Sequence, residues 1–196
     1  MSNSILPITL LSLSYFLGAI PFALLFAKVK NINLRKEGSG NLGASNVFRV
    51  MGATYGTLVF ILDAAKGWLP CFLSIHFFTN FFWLHVACGA MAILGHSFTC
   101  FAQFKGGKGV ATAAGMILAL NPFIFLIICP TTLITIKITR YVAPCSLLAS
   151  LAIPVLFYYF KSPLPYIIST SLISILIFWR HRSNIKRLIN GKENKI

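Results

Sequence analysis

Three short stretches hold most of the side chains that could handle an anion in this 196-residue chain. The first is GSGNLGASNVFR, residues 38–49. Its glycines 38, 40 and 43 allow tight bends and close approach of a ligand to the backbone, and successive N–H groups in such a turn form an anion-binding nest. Ser39, Asn41, Ser45 and Asn46 add hydrogen-bonding groups, and Arg49 brings a planar fork suited to phosphate. The second is FKGGKGVAT, residues 104–112. It is not a Walker A loop, because Ala102 stands where the first glycine belongs and Gly109 follows Lys108 in place of Ser or Thr. What remains is a turn of Gly106, Gly107 and Gly109 with Lys105 and Lys108, leading into the N-terminus of a helix that starts at Val110. Free N–H groups and the helix dipole make that end an anion site. The third is WRHRSNIKRLINGKE, residues 179–193, where His181 and Asn184 share one face of a helix. Ile185, Leu188 and Ile189 form an apolar stripe on it, suited to a lipid surface.

Other chemistries are poorly served. The acids are Glu37, Asp63 and Glu193. They form no pair for glycoside hydrolysis and no cluster for Mg²⁺. No His-x-x-x-x-Asp dyad and no Gly-x-Ser-x-Gly elbow occur. The five cysteines, at 71, 88, 100, 129 and 145, lack metal-ligand spacing and read as small hydrophobes. The net charge is +14, but the basic residues are scattered between apolar runs, which argues against nucleic acid as a partner. Asp63 and Lys66 lie at i, i+3 within an apolar run and are expected to form a structural pair, and His96 falls beside the second motif. His76 and His85 are expected to be interfacial side chains at the outer end of a hairpin.

The elements that must position these residues are membrane helices. The chain is 57% hydrophobic and only 10% charged, against about 25% charged in soluble domains. Apolar runs occupy residues 5–27, 57–77, 81–98, 110–136, 142–160 and 163–179, and 31–56 is a polar loop. The first run has no basic residues before it and no cleavage site after it, so it is expected to be a retained span. Basic clusters at 28–49, 105–108, 137–140 and 180–195 should all face the cytoplasm. Two spans separate the first cluster from the second, and two separate the third from the fourth. An even number must therefore separate the second from the third. The run 110–136 accordingly goes in and returns, turning at Asn121-Pro122, where proline disfavours continuation. The reading is an all-α polytopic membrane protein, one domain over 1–196, with about seven membrane helices, the N-terminus outside and the C-terminus in the cytoplasm. Reporter tags at the C-terminus and in loop 137–141 should therefore report cytoplasm, and a tag at residue 2 should report the outside. A C-terminal tag found outside would overturn the parity.

GSGNLGASNVFRVMG, GHSFTCFAQFKGGKGVATAAG and HRSNIKRLINGKE, with DAAKGWLP and TRYV, resemble the bacterial membrane acyl-phosphate:glycerol-3-phosphate acyltransferase family, PlsY, over nearly the whole chain. The resemblance implies seven membrane helices in the bacterial inner membrane and an active site on the cytoplasmic side. It implies transfer of a fatty acyl group from acyl phosphate to glycerol 3-phosphate, an early step of phospholipid biosynthesis. The products would be lysophosphatidic acid and inorganic phosphate, with no cofactor, no metal and no acyl-enzyme. A soluble phosphate acyltransferase supplies the acyl phosphate and is the implied partner. By motif, Ser39, Asn41, Arg49 and His96 would be catalytic. Gly40, Gly43, Ala44, Ser45, Asn46, Gly106, Gly107, Lys108, Gly109 and Ser146 would bind substrate or phosphate, with His181 and Asn184 on glycerol 3-phosphate. Asp63, Lys66 and Glu193 would be structural. Ser45 stands where threonine is usual, Thr99 replaces a common proline, and Ala143-Pro144-Cys145 departs from a Ser-Leu-small pattern.

The chemistry is consistent with so few acids. Acyl phosphate is a mixed anhydride and arrives activated. Two anions must be brought together, which calls for Arg and Lys, and a greasy chain must be held, which apolar helices can do. The attacking hydroxyl needs a proton acceptor, for which His96, His181 and a substrate phosphate all qualify. The phosphate is preferred, since a phosphate monoester has a second pKa of about 6. Two rivals are a transporter of organic phosphates and a lipid phosphatase. A transporter site normally lies near the bilayer midplane, whereas these motifs lie in the loops, and a phosphatase lacks an evident nucleophile.

Overall fold

Proline and glycine set the breaks in this chain, and apolar composition sets the lengths between them. The computed structural model describes residues 5–196. Among these residues the regular structure is entirely helical. The chain separates into two compact units, residues 1–120 and 121–196, dividing at the Asn121-Pro122 turn.

The first unit opens with α1 (Ile5–Ala19) and α2 (Phe22–Val29), which together make one membrane-length segment interrupted at Ile20-Pro21. The residue before a proline is pushed out of the helical region, so the break falls where Pro21 puts it. The expected polar loop 31–56 is half helix: α3 (Ala44–Met51) lies inside it and α4 (Ala53–Phe77) begins four residues earlier than the apolar run suggests. Gly52, at φ +87°, makes the corner between them, a backbone shape that L side chains rarely adopt. The 25 residues of α4 span about 38 Å at 1.5 Å per residue. That exceeds the roughly 30 Å of a bilayer core. α5 (Phe82–Ser97) runs on through a short 3₁₀ turn, Cys100–Ala102, and α6 (Val110–Leu120) closes the unit. His85 corrects the sequence expectation: it is buried rather than interfacial, its Nε2 2.8 Å from the Phe78 carbonyl oxygen.

Glycine contacts weld this unit. Gly18 and Gly95 bring α1 and α5 together, against the backbones of Ala92 and Tyr15; Gly67 and Gly115 do the same for α4 and α6, against Thr112 and Ala64. A Cβ at any of the four would overlap backbone atoms. Between helices in lipid the gain comes from close packing rather than from hydrophobic burial, so small residues are what such contacts require.

The second unit holds α7 (Pro122–Thr139), α8 (Val142–Tyr159), α9 (Leu164–Arg180) and α10 (Arg182–Ile189). Asn121 caps α7, its Oδ1 accepting from the N–H groups of Phe123 and Ile124 at 3.1 Å, with Pro122 in the first turn. A helix therefore begins at Pro122, where the sequence places a break, and the apolar run holds two helices of unequal length, 11 residues in α6 and 18 in α7. The Ser174 hydroxyl of α9 donates to the Ser150 carbonyl of α8. α9 and α10 bend by 58° at His181. Among the described residues, by length and composition, five segments can cross a membrane, six if that bent pair counts as one, and α6 is a shorter apolar helix besides.

Candidate active site

The first motif is organised by one buried amide. Asn46 sits in the first turns of α3 and is fully buried. Its Oδ1 accepts from the Ser39 N–H at 2.7 Å and from the Ser39 hydroxyl at 3.1 Å. Its Nδ2 donates to the carbonyls of Leu34 and Glu37 at 3.3 and 3.2 Å. Both acceptor sites and both N–H groups are thus used within the loop. Asn46, a candidate substrate-binding residue by motif, uses its amide oxygen to hold Ser39 in place. Gly38 and Gly40, at φ +57° and +69°, let the strand of loop wrap this amide. Ser39, Gly40, Asn41, Gly43, Ala44, Ser45 and Arg49 are all half-buried. Ser45 and Arg49 are one turn apart on α3. No side chain caps the α3 N-terminus at Gly43, leaving that end open to an anion.

The second motif packs on the end of α5. Gly106 and Gly107 donate their N–H groups to the carbonyls of Ser97 and His96, each at 3.1 Å. At Gly106 a Cβ would overlap the His96 carbonyl, and at Gly107 it would overlap the His96 ring at Nε2. Gly109, at φ +82°, turns the chain into α6. The glycines expected to bind phosphate are therefore also the ones that close packing demands.

Asp63 and Lys66, expected to pair, do so: Lys66 Nζ is 2.9 Å from Asp63 Oδ1, and both side chains are buried. Lys66 Nζ also donates to the Ile20 carbonyl at 2.7 Å, at the Pro21 break, where that oxygen accepts the Phe22 N–H as well. His96 Nδ1 lies 3.6 Å from the same Asp63 oxygen. These groups line a small cleft together with Gly106, Gly107, Leu42 of the first motif, Thr99 and residues 19–22. Ser39, Asn41, Arg49 and Lys108 are not among its lining residues.

Two anchoring residues escaped the sequence reading. Arg35 Nη2 donates to the carbonyls of Ala102 at 2.9 Å and Lys105 at 3.3 Å, tying the first loop to the second. Its only sequence signal was a charge in a loop already rich in charge. Thr99, noted as a replacement for proline, donates its hydroxyl to the Ala19 carbonyl at 2.5 Å and accepts from the Phe101 N–H. It fastens the α5 end to the α1–α2 break.

In the second unit the third motif forms its own polar knot. His181, at the head of α10, and Asn184 are both buried, while Ile189 of the apolar stripe is exposed. His181 Nδ1 lies 2.8 Å from the Ile177 carbonyl oxygen. Asn184 Nδ2 donates to Glu193 Oε1 at 2.5 Å, and Arg187 Nε to Glu193 Oε2 at 2.9 Å. Ser146 is buried on α8.

Comparison with known proteins adds an independent line. Residues 8–191 match the model of a family described as glycerol-3-phosphate acyltransferase. A glycerol-3-phosphate acyltransferase of Geobacillus kaustophilus is 40% identical over 189 residues, covering 95% of this chain and 94% of that protein. One of Aquifex aeolicus is 38% identical over 182 residues, covering 93% and 95%. Among solved structures, the glycerol 3-phosphate form of PlsY, an integral membrane glycerol 3-phosphate acyltransferase, superposes with a TM-score of 0.93 at 37% identity, covering 97% of this chain and 95% of that one. Its lysophosphatidic acid form gives 0.90 at 36%, with the same coverage.

Proposed function

We propose, for a chain that belongs to the glycerol-3-phosphate acyltransferase family, that it acylates glycerol 3-phosphate with acyl phosphate as donor, at the cytoplasmic side of the bacterial inner membrane. The observation that carries this reading is the meeting, in the first unit, of two glycine-rich basic loops through Arg35, beside a buried Asp63–Lys66–His96 cluster. Loops built this way suit phosphate groups at a lipid boundary better than they suit a transport path through the midplane.

The step balances with no further reactant. The glycerol 3-phosphate hydroxyl oxygen bonds to the acyl carbonyl carbon, the bond from that carbon to the phosphate oxygen breaks, and inorganic phosphate leaves with the electron pair. A proton leaves the hydroxyl as it attacks. A substrate phosphate, with its second pKa of about 6, can take it. Ser39, Asn41, Arg49 and His96 act at the reacting centre. Gly106 to Gly109, with Lys108, hold a phosphate, His181 and Asn184 are assigned to glycerol 3-phosphate, and Ser146 is assigned to substrate. The hydroxyl of Ser39 and nearby N–H groups stabilise the oxyanion, where donors in place before charge develops contribute most. A mixed anhydride needs neither ATP nor a metal for activation, and its supply falls to a soluble acyl-phosphate-forming partner.

The donor is the sharpest test. Purified protein in lipid should release phosphate only when acyl phosphate and glycerol 3-phosphate are both present, with lysophosphatidic acid formed in equal amount. The loops offer phosphate sites but nothing shaped for an adenine ring, so acyl-CoA should not replace the donor. Equal turnover with acyl-CoA would overturn the assignment.

A further inference from the structure

Asp63 is only 2% exposed within a membrane-length helix, and its Oδ1 faces two partners, Lys66 Nζ and His96 Nδ1. Buried ionisable groups at such depth are costly and call for a role. A helix-stapling pair would need Lys66 alone. The 3.6 Å to His96 is longer than a hydrogen bond. The carboxylate therefore acts on the imidazole through charge, holding the ring with its Nδ1 edge toward Asp63. The opposite edge of that ring, at Nε2, lies against Gly107. The carbonyl of His96 accepts the Gly107 N–H as well. His96 thus touches the glycine turn with both ring and backbone, and Asp63 holds the ring.

We propose that Asp63 is a positioning residue for the phosphate turn: acting through His96, it sets the Gly106–Gly107 backbone in the shape that receives a phosphate. This goes beyond the structural pairing of Asp63 with Lys66 and rests on the reading that the turn binds phosphate.

The test is a double-mutant cycle on binding, using inorganic phosphate as the probe and the purified full-length protein. Thermal stabilisation by phosphate gives a Kd for the parent, Asp63→Asn, His96→Gln and the double variant. Asp63→Asn should weaken phosphate binding by about tenfold, the scale for losing a carboxylate behind a functional histidine. In the His96→Gln background the same change should weaken it by less than about twofold, because residues acting as one unit are not additive. A purely stapling pair would give the same factor in both backgrounds, and that result would overturn the proposal. A parent that fails to bind phosphate would overturn it too, while the turnover assay would still judge the acyl-transfer reading separately. Should Asp63→Asn fail to fold because Lys66 is left unpaired, the cycle is run on Lys66→Met, and the same outcomes decide.

Discussion

Ser39→Ala should lower kcat by about 10²–10³, the cost of removing one oxyanion donor, with little change in either KM. The structure makes this a clean substitution. The hydroxyl donates to Asn46 Oδ1, but that oxygen also holds the Ser39 N–H at 2.7 Å, so the loop keeps its main tie when the hydroxyl is gone. In the proposed mechanism the hydroxyl turns from Asn46 to the reacting carbonyl oxygen. Asn46→Ala is the contrast. It removes the acceptor for Ser39 and leaves the buried Leu34 carbonyl without its Nδ2 donor. That should cost about 1–3 kcal/mol of stability, on the scale of an unsatisfied buried group, seen as a lower melting temperature alongside lost activity. A folded Ser39→Ala enzyme with near-normal kcat would reduce the serine to a loop residue.

Gly107→Ala should act on the other kinetic constant. The new methyl would collide with the His96 ring at Nε2, a buried side chain with little room to retreat. The turn or the ring must shift, and the phosphate site shifts with it. The KM of a substrate should rise by about tenfold, equivalent to about 1.4 kcal/mol of binding, with kcat much less affected. The collision itself can be checked. In a His96→Ala background the methyl has space, so Gly107→Ala should there cause no further rise. A tenfold rise that persists without the ring would place the cause in the turn's own backbone instead.

Much of the architecture was legible because membrane composition leaves few alternatives. With no water to satisfy backbone groups in lipid, long apolar runs must be helices, and Val142–Tyr159 and Leu164–Arg180 fall within a residue or so of their apolar runs. The break at Asn121-Pro122 followed from the two residues' local chemistry, and Asn121 does cap α7. Places where a local rule competes with composition were less legible. Pro21 splits an apolar run into α1 and α2, and α3 lies within a stretch whose glycines and polar residues read as loop.

The sequence by itself determined the class of the protein, the three motifs and the kind of ligand they suit, because residue type and near-neighbour spacing set those. It also indicated the Asp63–Lys66 pair, since i and i+3 share a helix face. Only the tertiary structure decided what lies between residues far apart in the chain. It gave His96 to Asp63, Arg35 to the carbonyls of Ala102 and Lys105, and Lys66 to the carbonyl of Ile20. It turned Asn46 inward and buried His181 and Asn184. The contact of His96 with Asp63 depends on how closely helices approach, and glycines such as Gly95 and Gly115 bring helices together by meeting another helix's backbone, a pairing no periodicity along one helix encodes.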